Sequence, residues 1–326
     1  MPSIRIATFN LENLDDGPGI VPLLADRIRV MRPQLLRVNA DILCLQEVHS
    51  QGLPGARTLA ALDALLTGTP YAAFNRATTT TNGGQLFDVR NLVILSRFPI
   101  VPPIRQIRPG DGPRPSYQMA TAIPPDTTAS PVEWERPILH VQIDLGAGRI
   151  AHVINVHLKS KLASTIPGQK IDNFTWSTVS AWAEGSFISA MKRVGQALQA
   201  RLLIDDLFST QGLDTLIAIC GDFNSTAEDV PLQAICGPVE ETGNPEHGPR
   251  LMVPCENNVP DSARHSLLHL GHGEMIDHII VSRPLLRFFR GAEVHNEALP
   301  DESGAFRTDV DFPESDHAPV VANFDL

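Results

Sequence analysis

A chain of 326 residues with 43% hydrophobic content can bury a sizeable core, as one large domain or two ordinary ones, and holds no apolar run of bilayer-spanning length. A net charge of −11 and a pI near 5.4 are the opposite of the footprint of a tight, non-specific nucleic-acid binder, so a polyanionic partner has to be met locally or through a metal ion. Cys44, Cys220, Cys236 and Cys255 are too few and too scattered for a disulfide framework or a close-spaced zinc site.

The N-terminal MPSIRIATFNLENL runs straight into a strand-like segment without a basic region, apolar stretch and cleavage site, and the expectation is a cytoplasmic protein without membrane association. In chain order, strands are expected at 4–9, 42–46, 91–96, 138–145, 149–158, 216–220, 276–281 and 318–324. Helices are expected at 23–38, kinked or split by Pro33, at about 56–66, and at about 180–208, where apolar residues recur every three or four positions. ILHVQIDL and RIAHVINVHL are separated only by Gly146, Ala147 and Gly148, which reads as an antiparallel hairpin and excludes a purely parallel sheet. Without a composition break, this mixture indicates one α+β domain over 1–326 with helices outside the sheets. Long loops at about 76–90, 124–137, 159–178 and 240–266 have the character of active-site lids or linkers.

Several of these strands end in polar groups. ICGDFNS sets Asp222 and Asn224 two apart, so that they share a face with Phe223 turned away, although Gly, Asp, Asn and Ser are equally the makings of a turn. IRIATFNLEN ends in Asn10 and Glu12, and ILCLQEVHS in Glu47. MIDHIIVS opens with Asp277, and Asp316 and His317 precede the last strand. VINVHLKSK places Asn155, His157 and Lys159 on one face. A lone histidine or acid is ordinarily a cap or a satisfied surface group. Five acids gathered at one edge would repel one another without a cation, and their hard oxygens suit magnesium rather than zinc. His278 is sent to the opposite face and is expected to pack outward, while His49 and His152 carry no motif.

The ordered set TFN, LQE, NVHLKS, GDFN, ID and SDH, from Asn10 to His317, resembles the endonuclease/exonuclease/phosphatase superfamily of magnesium-dependent phosphoesterases. That resemblance implies a DNase I-like four-layer α/β/β/α sandwich of two mixed, mainly antiparallel sheets, with the site at one edge. Residue by residue, it implies Glu47 as principal metal ligand, supported by Asn10 and Asp316, with Glu12 where several relatives have aspartate. It makes Asp222 the residue that orients or deprotonates the attacking water, Asn224 a phosphate donor, and His317 a phosphate donor held by Asp277. His157 stands where DNase I-like members have histidine and abasic-site endonucleases typically tyrosine. Lys159, Lys161 and Lys170, with Arg193 on the next helix, are candidates for flanking phosphates; all four lysines of the chain fall between 159 and 192.

The expected activity is hydrolysis of a phosphodiester, in DNA before RNA, with Mg2+ or alternatively Mn2+. The alternative is a small-molecule or lipid head-group phosphoesterase, because loops rather than fold set specificity. A third reading, a binding protein that has lost its chemistry, is disfavoured because every expected site residue type is present. No protein partner is inferable.

Overall fold

The computed structural model describes residues 3–112, 114–303 and 312–326. The first half runs β1 (Ser3–Leu14), α1 (Leu24–Val38), β2 (Ile42–Val48), α2 (Ala60–Leu66), β3 (Asn75–Thr78), β4 (Asn91–Ser96), β5 (Ile100–Ile107), β6 (Ser116–Tyr117), β7 (Ser130–Pro131), β8 (Ile138–Asp144) and β9 (Ile150–His157). The second runs α3 (Val179–Gln211), β10 (Leu216–Asp222), α4 (Val230–Cys236), α5 (Val239–Thr242), β11 (Met252–Pro254), β12 (Leu267–His269), β13 (His272–Glu274), β14 (Asp277–Ser282), α6 (Arg283–Leu286), β15 (Phe289–Val294) and β16 (Val320–Asp325).

Two six-stranded sheets carry the fold, in the orders β15-β16-β1-β2-β4-β3 and β11-β14-β10-β9-β8-β5. Each has one parallel pair at its centre, β1 with β2 and β9 with β10; the neighbouring pairs are antiparallel. The two-residue period of a strand sorts side chains into layers. Ile4, Ile6, Ile42 and Cys44 of the first sheet meet Val153, Ala218, Cys220 and Ile279 of the second. On the other face of the first sheet, Phe9, Leu43 and Leu45 pack under Met31 and Leu35 of α1 and Leu62 of α2. Ile154, Val156 and Ile219 pack under Ala200, Ile204 and Leu207 of α3. Each fully buried aliphatic side chain is worth about 1.5–3 kcal/mol, so the layering is strongly specified, and the result is the four-layer α+β sandwich expected.

The eight interior strands are the eight expected from sequence, and the 138–158 hairpin is antiparallel as read. The four edge strands, β3, β5, β11 and β15, escape that reading. α1 is one unbroken span, so Pro33 does not split it; the ring lies on the exposed side, where water can serve the carbonyl left without an N–H partner. His278 does face away from the inter-sheet core, but it is not outward: it is 1% exposed, with Nδ1 on Glu256 Oε1 and Nε2 2.8 Å from the Ser225 carbonyl. No helix among the described residues is long and apolar enough to cross a membrane.

One backbone position controls the approach of β10 to β9. Gly221 sits at φ +148°, and a Cβ there would lie 1.9 Å from the Val156 carbonyl oxygen. Gly221→Ala is therefore expected to cost roughly 3 kcal/mol or more, read as a fall in midpoint on chemical denaturation; an unchanged midpoint would mean that β9 and β10 part without cost.

Candidate active site

The carboxyl ends of the two parallel pairs face each other across the sandwich. The inner-face row of β1, Ile4 and Ile6, continues through Thr8 to Asn10; that of β9 runs Val153, Asn155, His157; and that of β10 runs Ala218, Cys220, Asp222. In β14 the row opens with Asp277 before Ile279 and Val281. Strand alternation thus carries the apolar core outward into a polar edge.

Glu47 breaks the alternation. Its parity would place it with Leu43 and Leu45 beneath the helices, but the β2 register shifts between Leu45 and Val48, and Glu47 adopts φ +58°. The bulge re-aims the carboxylate into the site. Glu12, Asn13 and Asn224 also occupy the left-handed region, at φ +44°, +51° and +48°. Such conformations in non-glycine residues are sparsely populated and cluster at functional sites.

Below this edge the sheets are tied together. Gln46 Nε2 donates to Asn155 Oδ1 at 2.7 Å, and Asn155 Nδ2 donates to the carbonyls of Leu45 and Val93, both at 3.0 Å. Above it, Asp222 is the hub and is 2% exposed. Its carboxylate accepts from the Asn224 amide nitrogen at 2.8 Å, Asn224 Nδ2 at 3.0 Å and Asn10 Nδ2 at 3.1 Å. His157 Nε2 lies 3.1 Å from Asp222 Oδ2 and 3.5 Å from Glu47 Oε1. His317 Nε2 lies 3.4 Å from Asn10 Nδ2 and 3.9 Å from Asp222 Oδ2, while its Nδ1 is 2.7 Å from Asp277 Oδ2. Residues separated by up to 307 positions in the chain converge on one carboxylate.

A model of the Endonuclease/Exonuclease/phosphatase family matches residues 7–317. The chain belongs to that family. Membership of the endonuclease/exonuclease/phosphatase family makes it a phosphoester-hydrolysing enzyme, of a kind typically dependent on a divalent metal. Sequence comparison with curated proteins finds no match. Among solved structures, truncated TDP2 from Caenorhabditis elegans is similar with a TM-score of 0.58 at 16% identity, over 99% of this chain and 98% of that one. An AP endonuclease from Archaeoglobus fulgidus is similar at 0.51 and 16%, over 99% and 100%. A 3′ phosphatase, NExo from Neisseria, bound to product DNA hairpin, is similar at 0.52 and 18%, over 99% and 100%. At these identities the likeness is one of fold.

The charges around this hub balance unevenly. Burial alone would raise the Asp222 carboxyl, but His157, His317 and the Asn224 amide hold it well below the usual carboxylate range. Burial works against charge on His317 too, yet the carboxylates of Asp277, Asp316 and Asp222 hold its imidazolium well above the ordinary histidine range. Burial, with Arg136 nearby, pushes His157 down. At the rim the acids are undercompensated: burial and Asp316 push Glu12 up to about 8, and burial pushes Asp316 up to about 6 against the pull of His317.

Two groups of donors here could hold a cation. Asp222, Asp277 and His317 each offer a ligand atom within 4.8 Å of the others. Those atoms already serve one another, and Asp277 is 0% exposed behind the imidazole, so a metal there would displace the 2.7 Å bond. Glu47, Asn10, Glu12 and Asp316 form the better set for a hard ion: all offer oxygen, the carboxylates crowd one another, and buried Asp316 Oδ1 has no hydrogen-bond partner among the described residues. The residues fit a magnesium-like cation.

The basic candidates are placed differently from the site acids. Lys159 is half-buried, its Nζ 2.9 Å from Ser160 Oγ and 3.1 Å from the Leu162 carbonyl; Lys161 pairs with Glu274 at 3.2 Å. Lys170 donates to the Asn173 carbonyl and stands 4.3 Å from the centre of the Trp176 ring, and Arg193 donates to the carbonyls of Lys159 and Ser160 at 3.0 and 3.1 Å. In this conformation the four cations shape the 159–178 loop.

Sequence reading missed three supports. Ser315 Oγ donates to the Asn10 carbonyl at 2.7 Å and accepts from the His317 amide at 3.1 Å; its position inside SDH was the available signal. Ser266 Oγ accepts from the Asp277 amide at 3.0 Å, and Arg27 of α1 donates to the carbonyls of Leu11 and Glu12 at 2.7 and 2.8 Å. Nothing local marks either of these last two.

Proposed function

We propose that the protein is a divalent-metal-dependent phosphodiester hydrolase acting on nucleic acid, DNA in the first place. The observation that carries this reading is the convergence of His157, Asn10 and His317 on the buried Asp222 carboxylate. That constellation has an acceptor for a water, a cationic donor for developing negative charge, and a rim of acids for a cation. The names of two fold relatives, an AP endonuclease and a DNA-bound 3′ phosphatase, favour a nucleic-acid substrate.

In this mechanism Glu47, Asn10, Asp316 and Glu12 would hold a divalent metal, which when bound would supply Lewis acidity. Asp222 accepts a hydrogen bond from the attacking water and aligns it; being held as a weak base, it orients more than it deprotonates. His317, kept protonated by Asp277, donates through Nε2 to a non-bridging oxygen as charge builds on the phosphorus. Neutral His157 donates from Nε2 toward Asp222 and fixes its orientation. Asn224 spends both amide protons on Asp222 and the Leu158 carbonyl, so it reaches phosphate only by releasing one of them. Local cations and donors, rather than overall charge, meet the substrate; this reconciles the activity with a net charge of −11.

The test is a magnesium-titrated hydrolysis panel of plasmid DNA, single-stranded DNA, RNA and bis(p-nitrophenyl) phosphate, with EDTA controls. The expected result is EDTA-sensitive cleavage of DNA. Turnover of the model diester alone would redirect the search to small phosphoesters, and no turnover of any substrate would refute the reading.

A further inference from the structure

We propose that Arg136 contacts the substrate, its guanidinium taking a non-bridging oxygen of the phosphate, and that Gln196 of α3 positions it; this rests on the phosphoester-hydrolase reading above. Arg136 lies in WERPILH, immediately before β8, and no sequence motif singles it out. It is only 9% exposed, a placement that an arginine tolerates when its charge and donors are used.

Little among the described residues uses them. Of its five N–H donors, the hydrogen bond made is a long one, from Nη1 to the Leu158 carbonyl at 3.4 Å, and buried Nε has no partner among the described residues. That same carbonyl accepts from Asn224 Nδ2 at 3.1 Å. The guanidinium is thereby placed beside Asn224, at the wall of the Asp222 hub. It is close enough to Glu47 and Asp222 to act on their charge, yet it forms no ion pair with either. A buried cation with open donors at the wall of that hub is the preorganised arrangement that stabilises developing negative charge. The lysine loop cannot substitute in this conformation, because its cations are engaged with carbonyls, Glu274 and the Trp176 ring.

Gln196 sets where this guanidinium stands. Its side chain is 3% exposed and joins three segments: Oε1 accepts from the Lys159 amide at 2.8 Å, and Nε2 lies 3.4 Å from the carbonyls of both Arg136 and His157. The Arg136 segment, the end of β9 and the start of the lysine loop are registered to one another through a single helix residue.

The experiment compares wild type, R136Q, R136K, Q196A and R136Q/Q196A in two assays: steady-state hydrolysis of bis(p-nitrophenyl) phosphate with magnesium, and the shift in melting temperature produced by inorganic phosphate. R136Q is expected to lower kcat/KM roughly 100-fold and to abolish the phosphate-induced upshift seen in the wild type. R136K, which keeps the charge but loses the planar fork, should recover part of both effects and keeps the test informative if R136Q does not fold. Q196A should show a smaller loss that does not add to that of R136Q, whereas a merely structural glutamine would contribute its full cost in the double variant. An R136Q enzyme within about threefold of wild type, an equal phosphate shift in R136Q, or no shift in the wild type overturns the role of Arg136; full additivity overturns that of Gln196. A wild type that hydrolyses no phosphoester but is stabilised by phosphate through Arg136 would remove the hydrolase reading and leave the anion contact standing.

Discussion

Asp222→Asn is expected to leave the protein folded and to lower kcat by roughly 10³-fold. The substitution preserves shape at a site where the side chain is 2% exposed and already met by Asn10, Asn224 and His157, so the packing survives. What disappears is the negative charge that lets Oδ1 accept from a water while Oδ2 accepts from His157. An amide in that place presents an N–H to one of its present donors, and the hub is broken from within. Stability should fall only by the difference between charged and neutral hydrogen bonds, about 1–2 kcal/mol. Circular-dichroism melting and single-turnover hydrolysis separate the two effects. Activity within tenfold of wild type would move the water-orienting role away from Asp222.

Asp277→Asn is the second large effect, and its signature is a change in pH dependence. Asp277 lies entirely behind His317, 2.7 Å from Nδ1, and touches no solvent. Burial opposes the imidazolium, and the Asp277 carboxylate leads the charges that retain its proton. As pH rises through the raised pKa of His317, the cationic donor is lost, which gives the alkaline limb of the kcat profile. Replacing the carboxylate by an amide lowers that pKa, so the limb should move to lower pH, with kcat at neutral pH down roughly 100-fold. Only the direction of movement is diagnostic: a limb that stays in place, or moves to higher pH, would mean that another group titrates there.

The two variants probe different kinds of information in the chain. Every interior strand is legible because burial on both faces demands a β-branched or apolar run, as in NLVILS and LIAIC. Edge strands carry no such demand: β5, IVPPIRQI, is half exposed with no fully buried residue and includes two prolines that a central strand could not pair. β15 is likewise only half-buried. Pairing with a neighbour, a long-range event, makes these segments strands.

The sequence by itself determined which residues stand at strand ends, because the period of two carries each inner-face row from core to edge without reference to the rest of the chain. Asn10, His157, Asp222 and Asp277 follow from that rule alone. The tertiary structure decided the rest. The bulge that turns Glu47 into the site depends on the mismatch of β2 against β4, and the partner of His317 lies 40 residues away. Whether a cation is open to substrate or spent on carbonyls, as with Arg136 against Lys159 and Arg193, depends on which distant backbone groups lie within 3 to 4 Å. Local pattern encodes the face on which a side chain emerges; only packing assigns the neighbour that it meets there, because hydrogen bonds and charges act over distances much shorter than the chain separations they join.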